Sequence, residues 1–119
     1  MMSNRYSADM KTAEVFQEIE KRINENPKPV EGIESVYQFE LSGDDGATYQ
    51  LHLSNGTAKV VEGPTDSADC TLQMDAKDFK DMLLGNLNGT AAFMTGKLKI
   101  KGDMSKAIKL QTILSKYEV

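Results

Sequence analysis

The sequence predicts an α+β fold, five β-strands with helices layered on one face, and three observations carry that prediction. Apolar residues recur at helical spacing near the start of the chain and again near its end. Between and beside these segments, five short stretches alternate apolar and polar residues with a period of two. Strands adjacent in sequence favour antiparallel pairing and the helices gather late, so one helical layer on one sheet face satisfies both.

The elements follow in order. Val15, Phe16, Ile19 and Ile23 share one face, with Glu14, Glu18, Lys21 and Arg22 between them, which predicts an amphipathic helix over 12–25 ended by Asn26-Pro27 and Pro29. From Val36 the period becomes two: Tyr37, Phe39 and Leu41 lead through Ser42-Gly43-Asp44-Asp45-Gly46, expected to be a solvated hairpin turn, into Tyr49, Leu51 and Leu53. Asn55-Gly56 signals a two-residue turn into a third strand near Ala58 to Val61, and Gly63-Pro64 opens a loop before Cys70, Leu72 and Met74 alternate as a fourth.

Asp75 is placed to cap a helix containing Phe79, Met82 and Leu83, which Gly85 stops, and Thr90 to Met94 reads as a further helical turn. Lys97-Leu98-Lys99-Ile100-Lys101 alternates as the fifth strand. After Gly102-Asp103, a last helix begins at Met104 with Ala107, Ile108, Leu110, Ile113, Leu114 and Tyr117 on a broad apolar face. With no repeat or linker, the 119 residues predict one domain over 12–119 behind a flexible N-terminal segment, 1–11.

Composition excludes several function classes. The net charge of -4 opposes general nucleic-acid binding, which needs a positive surface to displace counterions from phosphate. No apolar run approaches the roughly 20 residues that span a bilayer, and a single cysteine, Cys70, forms no internal disulfide, which suits a reducing interior. The charge is uneven, however: six lysines from Lys97 onward face only Asp103 and Glu118, so that segment is +4 while residues 1–96 carry -8.

Catalytic signatures are missing from the pattern. His52 has the opposite strand parity to Leu51 and Leu53, whereas Cys70 shares the parity of Leu72 and Met74, so the two are expected on opposite faces. Asp44-Asp45-Gly46 lacks the alternating oxygen ligands and final glutamate of a calcium loop, and the glycines are too widely spaced for a phosphate-binding motif. Neither a metal nor a cofactor is expected. The surplus is instead apolar: large side chains, four methionines among them, crowd the region from Met74 to Leu114. Methionine repacks easily around ligands of varied shape.

The run Gly89-Thr90-Ala91-Ala92-Phe93-Met94-Thr95-Gly96-Lys97-Leu98-Lys99-Ile100-Lys101-Gly102-Asp103-Met104, continued by Lys106-Ala107-Ile108-Lys109-Leu110, resembles the C-terminal signature of the sterol carrier protein 2 family. Val15-Phe16-Gln17-Glu18-Ile19, Leu53-Ser54-Asn55-Gly56 and Ala68-Asp69-Cys70-Thr71-Leu72 before Asp78-Phe79 resemble it in the same order, so the likeness runs from about Thr12 to Leu114. It implies a five-stranded mixed sheet covered on one face by helices and enclosing an apolar lipid tunnel. The implied function is non-enzymatic carriage of a fatty acid, fatty acyl-CoA or sterol.

On that resemblance the lipid contacts fall to Phe79, Met82, Leu83 and Leu87 before the signature, Phe93 and Met94 within it, and Met104, Ile108 and Leu114 after it. Lys97, Lys99, Lys101, Lys106 and Lys109 are the candidates to meet anionic headgroups or the phosphates of a CoA near the entrance, in a transient contact with a membrane surface. Some relatives end in a peroxisomal tripeptide of the Ser-Lys-Leu type; this chain ends Tyr117-Glu118-Val119, so the cytoplasm is the expected location. Two other readings stand beside the carrier. One is an accessory domain that presents acyl-CoA or a sterol intermediate to a lipid-metabolising enzyme; the other is a small enzyme using Asp75 and Asp78 beside an apolar pocket.

Overall fold

The computed structural model describes residues 10–64 and 67–117. In chain order they form α1 (Thr12–Glu25), a 3-10 turn at Lys28–Val30, β1 (Ser35–Ser42), β2 (Thr48–Ser54), β3 (Thr57–Glu62) and β4 (Cys70–Asp75), then α2 (Ala76–Leu83), α3 (Gly89–Met94), β5 (Lys99–Gly102) and α4 (Met104–Ser115). Most of the N-terminal segment expected to be flexible lies outside the described residues, while Met10 packs partly buried against the core.

The strands make one five-stranded sheet in the order β3-β2-β1-β4-β5. Its antiparallel pairs are β1 with β2, β2 with β3 and β4 with β5. The central pair, β1 with β4, is parallel, with Tyr37 level with Cys70 and Phe39 with Leu72. Sequence adjacency could not show this pairing, because the segment after β3 carries the chain across to the far side of β1. The Asn55-Gly56 turn has φ of 54° and 73°, the paired positive values that a two-residue hairpin needs to match strand twist.

Strand parity sorts the side chains as read from the sequence. Tyr37, Phe39, Leu51, Leu53, Cys70, Leu72 and Met74 turn to the helix-covered face and are buried. There Phe16 of α1 stacks on Tyr49 and Phe79 at centroid distances of 4.4 and 5.2 Å and meets Phe39 edge-on at 5.2 Å. His52 and Cys70 do turn to opposite faces, since His52 shares the parity of Val36 and Cys70 that of Tyr37.

The open face carries a ladder of amides rather than apolar groups. Gln50 Nε2 donates to Gln38 Oε1 at 2.8 Å, and His52 Nε2 lies 3.0 Å from Gln50 Oε1. Gln38 and Gln73 both donate to Glu40, at 2.8 and 2.6 Å. Hydrogen bonds from Gln73 and then Gln38, with Lys101 nearby, hold the Glu40 carboxyl below the usual carboxylate range. Gln50 is fully buried yet satisfied, which is the condition for tolerating a polar group inside.

Helix side chains finish the outer edge of β3. Asn24 of α1 donates to Ala58 O at 2.9 Å and accepts from Ala58 N at 2.8 Å, and Glu20 accepts from Val60 N at 2.8 Å. These bonds occupy backbone groups that would otherwise pair with a foreign strand. The other end of the layer is tied by Arg22, whose Nη1 donates to Tyr117 O at 2.8 Å, and by Tyr117 OH, which donates to Asn26 O at 2.6 Å.

Two local expectations need correction. Strand β5 begins at Lys99 rather than Lys97, because Lys97 N and Leu98 N donate to Ala92 O at 2.9 and 3.1 Å, closing the end of α3 instead of joining β4. The hairpin turn is also more than solvated. Asp45 accepts from Thr12 N at 2.6 Å and Thr12 Oγ1 at 3.1 Å, and from Lys80 Nζ at 3.0 Å, so it caps α1 from a distance and clamps α2.

The Thr12 backbone N–H, followed by the Lys80 ammonium, lowers the Asp45 pKa below its ordinary value of 3.8. A lowered carboxyl pKa adds stability above the unfolded value, and that stability is lost as pH falls through the folded one. Because Asp45 is exposed and its contacts are screened by water, Asp45→Ala is expected to cost no more than about 1 kcal/mol at neutral pH. In urea titrations across pH, its deficit relative to wild type should shrink as the pH drops below 3.8. A deficit that stays constant into acid would show that the carboxylate charge plays no part.

Candidate apolar binding cavity

An apolar cavity of about 230 Å³ lies between the sheet and the late helices. Phe39, Leu72 and Ile100 form its sheet side, and Met82 of α2 and Phe93 of α3 stand on its walls. Along α4 the lining falls at Met104, Ala107, Ile108, Gln111 and Leu114, positions three and four apart that share one helix face. None of the lining side chains is titratable; Thr90 and Gln111 are the polar ones.

The cavity opens outward. Phe93, Met104 and Ile108 line it yet are 40, 42 and 62% exposed, so large apolar side chains rim the mouth. Small residues let the elements lie close behind the mouth without filling it: Gly89, Ala92 and Ala107 are buried there. At Gly89 a Cβ would stand 2.8 Å from Gln111 Oε1, so the Gln111 side chain passes directly over the start of α3.

A second hollow of about 280 Å³ continues past that point. It shares Met82, Gly89, Gln111 and Leu114 with the first and adds Leu83, Leu87 and Asn88. Asn88 also accepts from Ala91 N at 3.1 Å and so caps α3. A dry apolar cavity of about 150 Å³ already accommodates benzene. Both hollows border Gln111, the first apolar and the second mixed in polarity, so hydrocarbon suits the first and a polar end group the second.

Of the residues expected from the sequence to meet lipid, Met82, Phe93, Met104, Ile108 and Leu114 line the first hollow, and Leu83 and Leu87 the second. Two lie elsewhere. Phe79 is fully buried and faces Phe16 and Phe39 rather than the cavity, because the aromatic cluster under α1 claims that side of α2. Met94 is 78% exposed and outside the lining, since the short α3 turns it to solvent. Phe39, Leu72, Ile100 and Gln111 were missed, although inward strand parity and the i+3, i+7 spacing of Gln111 from Ile108 and Met104 were readable.

The lysines do not gather at the mouth. Lys99 and Lys101 stand level with Gln73 and Thr71 on the open sheet face, and Lys97 borders a polar hollow with Lys99, Glu40 and Gln73. Lys106 Nζ donates to Ser35 Oγ at 2.7 Å at the base of α4, which leaves Lys109, exposed beside Ile108, nearest the rim in sequence. Alternation explains the separation: Leu98 and Ile100 enter the cavity lining, so the lysines between and beside them must point the other way.

The carboxylates considered for catalysis are also away from the cavity lining. Asp75 accepts from Lys77 N at 2.8 Å and caps α2, and Asp78 lies in that helix's first turn. Burial pushes the Cys70 thiol up from its ordinary range, the reverse of an activated nucleophile. Among the described residues no group of His, Cys, Asp and Glu could hold a metal ion.

Comparison with known proteins agrees with this architecture. The chain is 45% identical over 102 residues to hydroxysteroid dehydrogenase-like protein 2 of Xenopus tropicalis, a match covering 85% of this chain and 24% of the relative. The chain thus spans about a quarter of the length of that protein. The apo sterol carrier protein 2 of Yarrowia lipolytica superposes with a TM-score of 0.74 at 26% identity, covering 95% of this chain and 97% of the other. The sterol carrier protein domain 2 of Helicoverpa armigera superposes with a TM-score of 0.78 at 23% identity, over 98 and 94% of the two chains. Residues 16–115 match the profile of the SCP-2 sterol transfer family, and to that family this chain belongs.

Proposed function

We propose that this domain binds a fatty acid, fatty acyl-CoA or sterol in the paired hollows and carries or presents it without chemical change. The observation that carries the reading is a lining with no titratable side chain that opens through an apolar rim. Such a surface holds hydrocarbon and has neither a base nor a nucleophile to act on it. Removing about 15 methylenes from water gains on the order of 12 kcal/mol. Since a membrane already offers that gain, the cavity need only match the bilayer for exchange to proceed.

The relatives' length favours a presenting role as a second reading. A match that covers 24% of a dehydrogenase-like protein suggests a domain that supplies an apolar substrate to an enzyme beside it or in another chain. On this reading Gln111, which lines both hollows, and Asn88, which lines the second, are placed to hydrogen-bond the ligand's polar end.

Native mass spectrometry tests the binding reading. After delipidation, incubation with palmitate, palmitoyl-CoA and cholesterol is expected to give one-to-one adducts and rank the three. No adduct with any of them, together with no uptake of a fluorescent fatty acid, would mean that the hollows are not a lipid site.

A further inference from the structure

We infer that the free edge of β5 accepts, as an added strand, an extended segment of another protein in which acidic and apolar residues alternate. The two edges of the sheet are finished differently. On β3 the side chains of Asn24 and Glu20 occupy the outward backbone groups of Ala58 and Val60. On β5, at the other end of the strand order, no described side chain does the same.

The ladder shows which backbone groups are open. Asp103 N donates to Asp69 O at 3.1 Å, and Lys101 and Lys99 stand level with Thr71 and Gln73, so these alternate residues turn their backbone to β4. Ile100, between them, therefore presents its N–H and C=O outward. Leu98, of the same parity, donates its N–H to Ala92 O, so the end of α3 covers the edge before β5 and leaves β5 itself bare. An edge of this kind is a template for a further strand.

Side chains select the occupant. Lys99 and Lys101 are exposed on the open face of the sheet, and Lys97 is exposed just before them. None of the three makes a hydrogen bond or ion pair among the described residues. The carboxylates around them are already engaged. Glu40, which lies near Lys101, accepts from Gln38 and Gln73; Asp69 accepts from Val36 N, Asp75 from Lys77 N, and Asp103 from Ser105 N. On the opposite side of the strand Ile100 joins the lining of the first hollow with Phe93 and Met104, both about two-fifths exposed.

A strand laid on this edge puts every second side chain beside Lys99 and Lys101, and those between them beside Ile100. Acidic residues fit the first set and apolar residues the second. A second copy fits poorly, because β5 against β5 would set lysine against lysine, the usual guard of an edge strand against self-pairing. The same lysines that refuse a copy attract an acidic strand, so one feature supplies both exclusion and affinity. The docking goes beyond the lipid-carrying reading and is measured without lipid.

The test is an NMR titration of the delipidated protein with a short peptide of alternating glutamate and valine, and with a lysine-valine counterpart. The glutamate peptide is expected to shift the β5 amides, to slow exchange of the Ile100 amide proton, and to bind less tightly as salt rises. Lys99→Glu combined with Lys101→Glu should weaken it at least about tenfold and make the lysine peptide the tighter binder. Ile100→Pro, which removes an outward N–H and leaves the bonds to β4, should abolish binding of the glutamate peptide in a variant that circular dichroism shows to be folded.

Strand addition is overturned if the glutamate peptide leaves the β5 amides of wild type unmoved. It is equally overturned if the peptide binds while Ile100 exchanges as fast as before, since attraction to lysine alone leaves that amide open. Equal binding of the two peptides by wild type would overturn the acidic partner. Failure of the carrier reading shows separately, as absence of fatty-acid uptake by the same delipidated protein.

Discussion

Ala107→Phe is expected to leave a folded protein that binds lipid roughly a hundredfold more weakly. Ala107 is buried on the cavity-facing side of α4, and the hollow of about 230 Å³ in front of it can receive a phenyl ring. Filling an existing void adds contacts without opening a new one, so the melting temperature should hold or rise. The ring would occupy space otherwise filled by the equivalent of about four ligand methylenes, a loss of about 3 kcal/mol, or roughly two orders of magnitude in Kd. A fluorescent fatty acid titrated against both proteins, with circular dichroism as the check on folding, measures this. Undiminished binding by a folded variant would place the ligand elsewhere.

Phe79→Ala and Phe93→Ala should separate stability from binding, although both are aromatic residues on the short late helices. Phe79 is fully buried, 5.2 Å from Phe16 and 5.4 Å from Phe39, so truncation leaves a void between these two rings. A cost of about 3–5 kcal/mol is expected, a large share of the roughly 5–15 kcal/mol that holds a domain folded. Phe93 is 40% exposed on the rim. Its loss should cost less than about 1 kcal/mol of stability, because the side chain keeps much of its contact with water in the folded state. Lipid affinity should nevertheless fall. Chemical denaturation and fatty-acid titration of the two variants read the contrast, and equal destabilisation would show that the rim is part of the core.

Particular residues show how far the sequence could be read. The helix over 12–25 emerged with those bounds because its apolar spacing is unbroken and Asn26-Pro27 follows it. Cys70 and His52 fell on opposite faces because strand parity is a property of the backbone alone. Asp45 is exposed in the turn as expected, but its bonds to Thr12 and Lys80, 33 and 35 positions away, were not foreseeable. No local pattern encodes such a contact.

The same distinction divides the candidate site. Strand alternation already placed Phe39 and Leu72 inward, and helical spacing already aligned Met104, Ile108 and Gln111 on one face. It also required Lys99 and Lys101 to oppose Ile100, which puts them away from the cavity once Ile100 is known to line it. Phe79 and Phe93 were indistinguishable, since both are aromatic residues on short late helices.

Local pattern was enough to place the helices and strands, the inward side of β1, β2 and β4, and the cap at Asp75. Tertiary structure alone decided the parallel pairing of β1 with β4, the capture of Phe79 by the aromatic cluster, and the presence of hollows under α3 and α4. The reason is that periodicity reports the direction in which a side chain leaves the backbone. Whether the space it enters is filled depends on the distance between layers, and a solid core and a hollow one share the same pattern.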